Sequence, residues 1–303
     1  MHSHWYKWFI TFRPWSYTAA VVPVLLGSAI AVYNGVFHGG LFLLTLIGSV
    51  ALQAGTNLVN DYYDDKKGLD QERVHGPGGF IQKGEIPARS VLMVGVACFV
   101  LGAAIGLYLV SVAGLFILWL GVFSVAVGFL YTAGPVALAY IGMGEITVFV
   151  FMGPVIVIGS YYVQARSVPL PVVLASLPVG FLVAAILHAN NLRDLDFDRQ
   201  FNKRTLATVL GRHGANVEYY ALIGATYAML VVTVLLGAAP WFTLLALLTL
   251  PMAVRLIGIV ARETEPAKLQ PVLRGTGQLH MRFGGLVVIG WMAAWLLNIW
   301  PHG

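Results

Sequence analysis

Nine stretches of the chain are almost unbroken apolar runs, near 16–34, 40–62, 88–110, 112–131, 142–164, 169–191, 215–237, 240–261 and 283–300. Each is roughly 17–25 residues long, the length at which a helix crosses the hydrocarbon core of a bilayer. Runs of this length predict helices, because a spanning segment must satisfy its own backbone hydrogen bonds. The third and fourth runs part only at Ser111, and the seventh and eighth only at "GAAP", so both pairs are predicted to be tight hairpins. The expected fold is an all-α multi-pass membrane protein with nine transmembrane helices.

Composition agrees with that pattern. The 303 residues are 58% hydrophobic and only 10% charged, where a soluble domain carries about a quarter of its residues as charges. The lone Cys98 lies in an apolar run, which excludes a disulfide within the chain. The opening "MHSHWYKWFITFRPW" lacks the smooth apolar core and small-residue cleavage site of a signal peptide. A formal charge of +5 would suggest nucleic acid in a soluble chain. Here the position of the bases gives another reason, and no nucleic-acid partner is expected.

With nine spans and the N-terminus inside, 17 of the 18 Lys and Arg residues fall on the inner side, and only Arg166 falls outside. That is the bias of cytoplasmic loops. All 13 acids fall on the same side, which the rule for bases does not require. The chemistry is therefore expected at the inner face. An integral membrane protein, with its active site toward the cytoplasm, is the expected setting.

Two of the acidic segments repeat each other. "NLVNDYYDD" places Asn57, Asp61 and Asp65 four residues apart, and "NNLRDLDFD" does the same with Asn190, Asp194 and Asp198. The patterns close the second and sixth runs. An even number of crossings returns the chain to one side, so the spacing predicts duplicated four-helix units around a central cavity. The chain reads as one domain, 1–303, with pseudo-repeats near 13–135 and 140–262 and a ninth helix near 283–300.

Positions i, i+4 and i+8 share one side of a helix. If the second helix runs on through residue 65, Asn57, Asp61 and Asp65 form a stripe with Asn60 and Asp64 beside it, and the sixth helix does the same with Asn190, Asp194 and Asp198. So many carboxylates brought together need cations or protons. Helix capping is a poor account, because these acids end their helices, where the dipole opposes negative charge. An ion-coupled transporter is the alternative from another class, but its acids belong near mid-membrane. Carboxylates with bases close by suit Mg²⁺, which is held by a few carboxylates plus substrate phosphates. Lys67, Arg73 and Lys83 follow the first pattern, and Arg193, Arg199, Lys203 and Arg204 surround the second. The Gly-rich "HGPGGFIQKG" between runs reads either as a phosphate-approaching loop or as a plain turn.

These two motifs resemble those of the UbiA-type superfamily of intramembrane aromatic prenyltransferases. "RPWSYTAAVVPVLLGSA" is similar to that family's opening helix, and "YTAGPVALAYIGMGEITVFVFMGPV" to its middle hairpin. "GPGGFIQKG" is most similar to the branch acting on 1,4-dihydroxy-2-naphthoate in menaquinone biosynthesis. The resemblance implies a metal and diphosphate core of Asn57, Asp61, Asp194 and Asp198, with Asp61 and Asp194 catalytic, and the repeated spacing adds Asn190 to the candidate metal ligands. The resemblance also implies diphosphate or leaving-group contacts from Arg13, Lys83 and Tyr131, and the bases around the second pattern add Arg193, Lys203 and Arg204 as candidates. Many members carry an acid where this chain has Gly68, so Asp64, Asp65 and Asp70 all stand as candidates to complete the first metal set. Glu145 is a candidate to orient or deprotonate the acceptor, or else an ordinary helix-start acid. The implied reaction is Mg²⁺-dependent transfer of a polyprenyl group from its diphosphate to an aromatic acid. The naphthoate comes first, and 4-hydroxybenzoate, homogentisate or a menadiol-type ring are the alternatives.

Overall fold

Each apolar run folds as helix, and the breaks between helices follow the backbone rather than the hydropathy. The structure, a computed structural model, describes residues 3–66, 80–81, 83–132, 138–201 and 203–297. In chain order the helices are α1 (His4–Thr11), α2 (Thr18–Tyr33), α3 (Gly39–Lys66), α4 (Ala88–Ala113), α5 (Leu115–Thr132), α6 (Gly144–Met152), α7 (Pro154–Ala165), α8 (Leu170–Arg193), α9 (Leu195–Gln200), α10 (Leu206–Leu235), α11 (Leu250–Arg262) and α12 (Pro266–Leu297). A 3₁₀ turn, Pro14–Ser16, precedes α2, and a 3₁₀ segment, Trp241–Thr249, leads into α11. No β-strand forms among the described residues; a single isolated bridge joins Ile141 to Arg204.

Among the described residues, seven segments are long and apolar enough to cross a membrane, and Thr18–Tyr33 and Leu115–Gly128 are apolar but shorter. The first of these is cut at its start by the Pro14–Ser16 turn and at its end by Gly35, whose φ of 71° breaks helical geometry. The hairpin expected at Ser111 turns instead at Gly114, with φ of 94°. The last helix starts at Pro266 rather than 283, so the long inner loop expected near 255–282 shrinks to a short link, and Arg274 and Arg282 stand on a helix.

The run expected as one helix over 142–164 is broken at Gly153, and Pro154 opens α7. A Cβ at Gly153 would stand 2.4 Å from Gly180 Cα and 2.7 Å from Phe149 O. The break therefore lets α8 approach backbone to backbone, the small-residue contact typical of membrane helices. Gly153→Val is expected to cost about 1–3 kcal/mol through overpacking, read as a lower thermal midpoint in detergent. An unchanged midpoint would contradict this close approach.

The largest packed cluster joins α2, α8, α10 and α12 around Leu26, Leu182, Tyr219, Leu279 and Phe283. The outside is apolar as well: Leu107, Phe123, Leu235 and Leu248 are exposed, as side chains facing lipid should be. The exposed Trp5 stacks on Phe9 of α1, and Lys7 pairs with Glu85 at 2.8 Å. An aromatic, partly charged short helix of this kind suits the membrane interface.

Candidate active site

α3 continues to Lys66, so Asn57, Asp61 and Asp65 do share one helical stripe. Asn57 and Asp61 are buried, while Asp65 is half-buried. The Asn57 Nδ2 donates to Ser16 Oγ at 2.8 Å and to Phe12 O at 3.4 Å. With its NH₂ committed to the protein, Asn57 has its carbonyl oxygen to offer, the ligand type that hard cations take. Asp61 is paired with Arg13. Arg13 sits in the left-handed region, φ 52°, directly before Pro14. A non-glycine residue there is strained, and from this position its guanidinium reaches Asp61. The Arg13 Nε is buried without a hydrogen-bond partner, a donor left over for a further acceptor.

The second motif is not one continuous stripe. α8 ends at Arg193, and Asp194 leaves helical geometry at φ −91° and ψ 8° before α9 begins. Two bonds carry the turn across: Asp194 N donates to Asn190 O at 3.0 Å and Asp198 N to Asp194 O at 2.8 Å. At this turn Arg193 folds back on its neighbour. Its Nε and Nη2 grip Asp194 at 2.7 and 2.6 Å, Nη2 also reaches Asn190 Oδ1 at 2.9 Å, and Nη1 donates to Gln270 Oε1 at 2.6 Å. Bidentate guanidinium–carboxylate contact of this kind is the strong form of an ion pair. Asp198 is 1% exposed and accepts from Lys203 Nζ at 3.0 Å, whose ammonium also stands 6.0 Å from the Tyr140 ring centre.

The remaining expected residues are spread more widely. Lys83 lies over the Phe80 ring at 5.8 Å. Arg204 is exposed, held by its backbone bridge to Ile141. The side chain of Asp64, and Asp70, Lys67, Arg73 and most of the Gly-rich loop, lie outside the described residues. Tyr131 stands with Glu145: its hydroxyl is 3.4 Å from where a Cβ on Gly144 would be. Glu145 is buried, its Oε1 contacting His188 Nδ1 at 3.1 Å and accepting from Asn191 Nδ2 at 2.9 Å. Three participants had no sequence signal tying them to these groups. They are Gln270 beneath Arg193, Glu218 beside His188, and Arg212, which pairs with Asp196 at 3.1 Å and closes the end of α8 by donating to Leu192 O at 2.8 Å.

Both motifs thus present buried oxygen ligands that already carry a cationic partner. Carboxylate and amide oxygens that attract positive charge within an apolar bundle fit Mg²⁺. Arginines beside them fit the phosphate oxygens that accompany it.

A polytopic helical bundle with such a site is the architecture of an intramembrane prenyltransferase, and comparison with known proteins agrees. The UbiA prenyltransferase family matches residues 20–280, and the chain belongs to that family. It is 36% identical over 290 residues to the 1,4-dihydroxy-2-naphthoate octaprenyltransferase of Mycobacterium tuberculosis, covering 95% of this chain and 97% of the relative. The enzyme of the same name from Bacillus subtilis is 32% identical over 283 residues, covering 93% and 91%. In fold, a UbiA homolog from Archaeoglobus fulgidus bound to GPP and Mg²⁺ aligns with a TM-score of 0.59 at 18% identity, covering 93% of this chain and 99% of that one. The protein is a membrane-embedded prenyltransferase.

Proposed function

We propose that the protein transfers a polyprenyl group from polyprenyl diphosphate to 1,4-dihydroxy-2-naphthoate, releasing diphosphate and CO₂ and forming demethylmenaquinol, the reduced form of demethylmenaquinone, at the cytoplasmic face of a bacterial inner membrane. What carries this reading is the near full-length match to naphthoate octaprenyltransferases, together with acid–base pairs at both motifs. The two motifs, from duplicated halves, would grip one diphosphate between them.

Asn57 and Asp61 from α3, and Asn190, Asp194 and Asp198 from the second motif, would hold Mg²⁺. Bound there, Mg²⁺ would neutralise charge on the diphosphate as it departs. Arg13, Arg193 and Lys203 now neutralise the motif acids. With substrate present, their N–H groups would turn toward the diphosphate oxygens, where developing negative charge makes each donor most valuable. The allylic C–O bond then breaks with its electron pair going to the diphosphate. An electron-rich carbon of the naphthoate ring forms the new C–C bond, and the carboxylate leaves as CO₂, its bond electrons returning to the ring. Water must be kept from the allylic cation, and the apolar walls of the bundle supply that exclusion.

Purified protein supplied with a prenyl diphosphate, Mg²⁺ and a panel of aromatic acids tests the reading by mass spectrometry. The expected product is a prenylated naphthoquinol lacking the carboxylate, formed only with the naphthoate and lost on chelation. A prenylated benzoate or homogentisate product instead would reassign the acceptor, and solute flux in liposomes without any product would refute prenyl transfer.

A further inference from the structure

A second ionisable cluster lies away from the two acid motifs. Glu145 at the start of α6, His188 in α8 and Glu218 in α10 bring their ligand atoms within 4.8 Å of one another. Glu145 is 3% exposed and His188 0%, and the Glu218 side chain is 15% exposed. Among the described residues, the ion-pair partner of both carboxylates is the same histidine, at 3.1 and 3.3 Å from Nδ1. The Oε2 atoms of Glu145 and Glu218 are buried with no hydrogen-bond partner.

Charge balance decides what this cluster lacks. Two carboxylates this close in an apolar bundle repel strongly, and one imidazolium offsets only one of them, so the second charge calls for a proton or a further cation. A dication would balance both and leave the imidazole neutral. The histidine is arranged for that state. Its Nε2 lies 2.8 Å from Ala215 O, an acceptor only, so Nε2 carries a proton, and a metal replacing any proton on Nδ1 would meet that nitrogen's lone pair beside the two carboxylates. A second-shell bond from the far ring nitrogen to a backbone carbonyl is the usual setting of a metal-ligating histidine, and the Asn191 bond to Glu145 holds a carboxylate in the same manner. Donors bound tetrahedrally at about 2.0–2.1 Å stand roughly 3.3 Å apart, close to the two observed edges.

We propose that Glu145, His188 and Glu218 form a second divalent-metal site, one that takes a transition-metal ion of the Zn²⁺ class and ties α6, α8 and α10 together. Mixed imidazole and carboxylate donors favour such an ion over Mg²⁺. The site is separate from the diphosphate site. At about 100° per residue, Asn190 points roughly 160° around α8 from His188, so the metal grips the back of the helix whose front carries the second motif. Glu145 is then a structural ligand and does not meet the acceptor. This inference stands whether or not the naphthoate assignment holds.

The test uses the full-length chain in an Asp61→Asn/Asp194→Asn background, where the acid motifs are disabled. After chelator stripping, Zn²⁺ addition and gel filtration, about one Zn²⁺ per chain is expected by elemental analysis, with a higher thermal midpoint than the stripped protein. Adding Glu218→Gln, which keeps shape and volume but removes one charge, should weaken retention at least tenfold and abolish the Zn²⁺-induced rise. The stripped triple variant should melt no lower than its stripped parent, because the repulsion is relieved, and this separates lost metal from lost folding. In the parent, Co²⁺ should give a visible absorption band that Zn²⁺ competes away. A parent that retains no Zn²⁺, or retention unaffected by Glu218→Gln, would overturn the proposal.

Discussion

Asp194→Asn should lower prenyl transfer by about 10²–10³-fold, the order seen when one preorganised electrostatic contact to developing charge is lost. The substitution is nearly isosteric, and its remaining carbonyl can still accept from Arg193, now held at 2.7 and 2.6 Å by both carboxylate oxygens. What disappears is the negative charge that would hold a divalent ion. Asp61→Asn should behave alike, because Asp61 is the buried acid of the opposite motif. Both variants should still insert and melt cooperatively in detergent, so lost activity is not lost protein. Near-normal Mg²⁺-dependent turnover in either variant would show that the acid concerned does not hold the metal.

Arg193→Met should damage stability as much as activity. Arg193 is 9% exposed and binds Asp194, Asn190 and Gln270 at once. Removing it leaves a largely buried carboxylate without its counter-ion, a loss of about 3–5 kcal/mol. The thermal midpoint should fall by several degrees. Adding Asp194→Asn should restore much of that midpoint, because the uncompensated charge goes with it, yet should restore no activity. If the double variant melted no higher than Arg193→Met, packing rather than charge pairing would be the role of Arg193.

The parts of this molecule that could be read from sequence are those set by periodicity. The Asn57–Asp61–Asp65 stripe was legible because four-residue spacing continues the helical period of the preceding apolar run, and α3 does run to Lys66. The same spacing at Asn190, Asp194 and Asp198 misled, because it does not register that the helix ends at Arg193 and the backbone turns at Asp194. The break at Gly153 was signalled by a Gly-Pro pair, yet only the facing Gly180 explains why it exists. Gln270 was hidden because its region read as loop, whereas α12 begins at Pro266. Glu218 was counted with the inner loops, although α10 starts at Leu206 and carries it inside the bundle. Of that cluster the sequence reading singled out Glu145 alone; His188, an ionisable side chain within an apolar run, went unread, although in a membrane span such a residue usually marks a partner nearby.

The central claim is that both acid motifs hold one divalent-cation–diphosphate complex. Equilibrium binding of a non-reactive prenyl thiodiphosphate measures this directly, with and without Mg²⁺, in the wild type and in Asp61→Asn and Asp194→Asn. Tight binding should require Mg²⁺ and both acids, with chelation or either substitution weakening it by about 10²-fold or more. Undiminished affinity under chelation, or in either variant, would contradict the account.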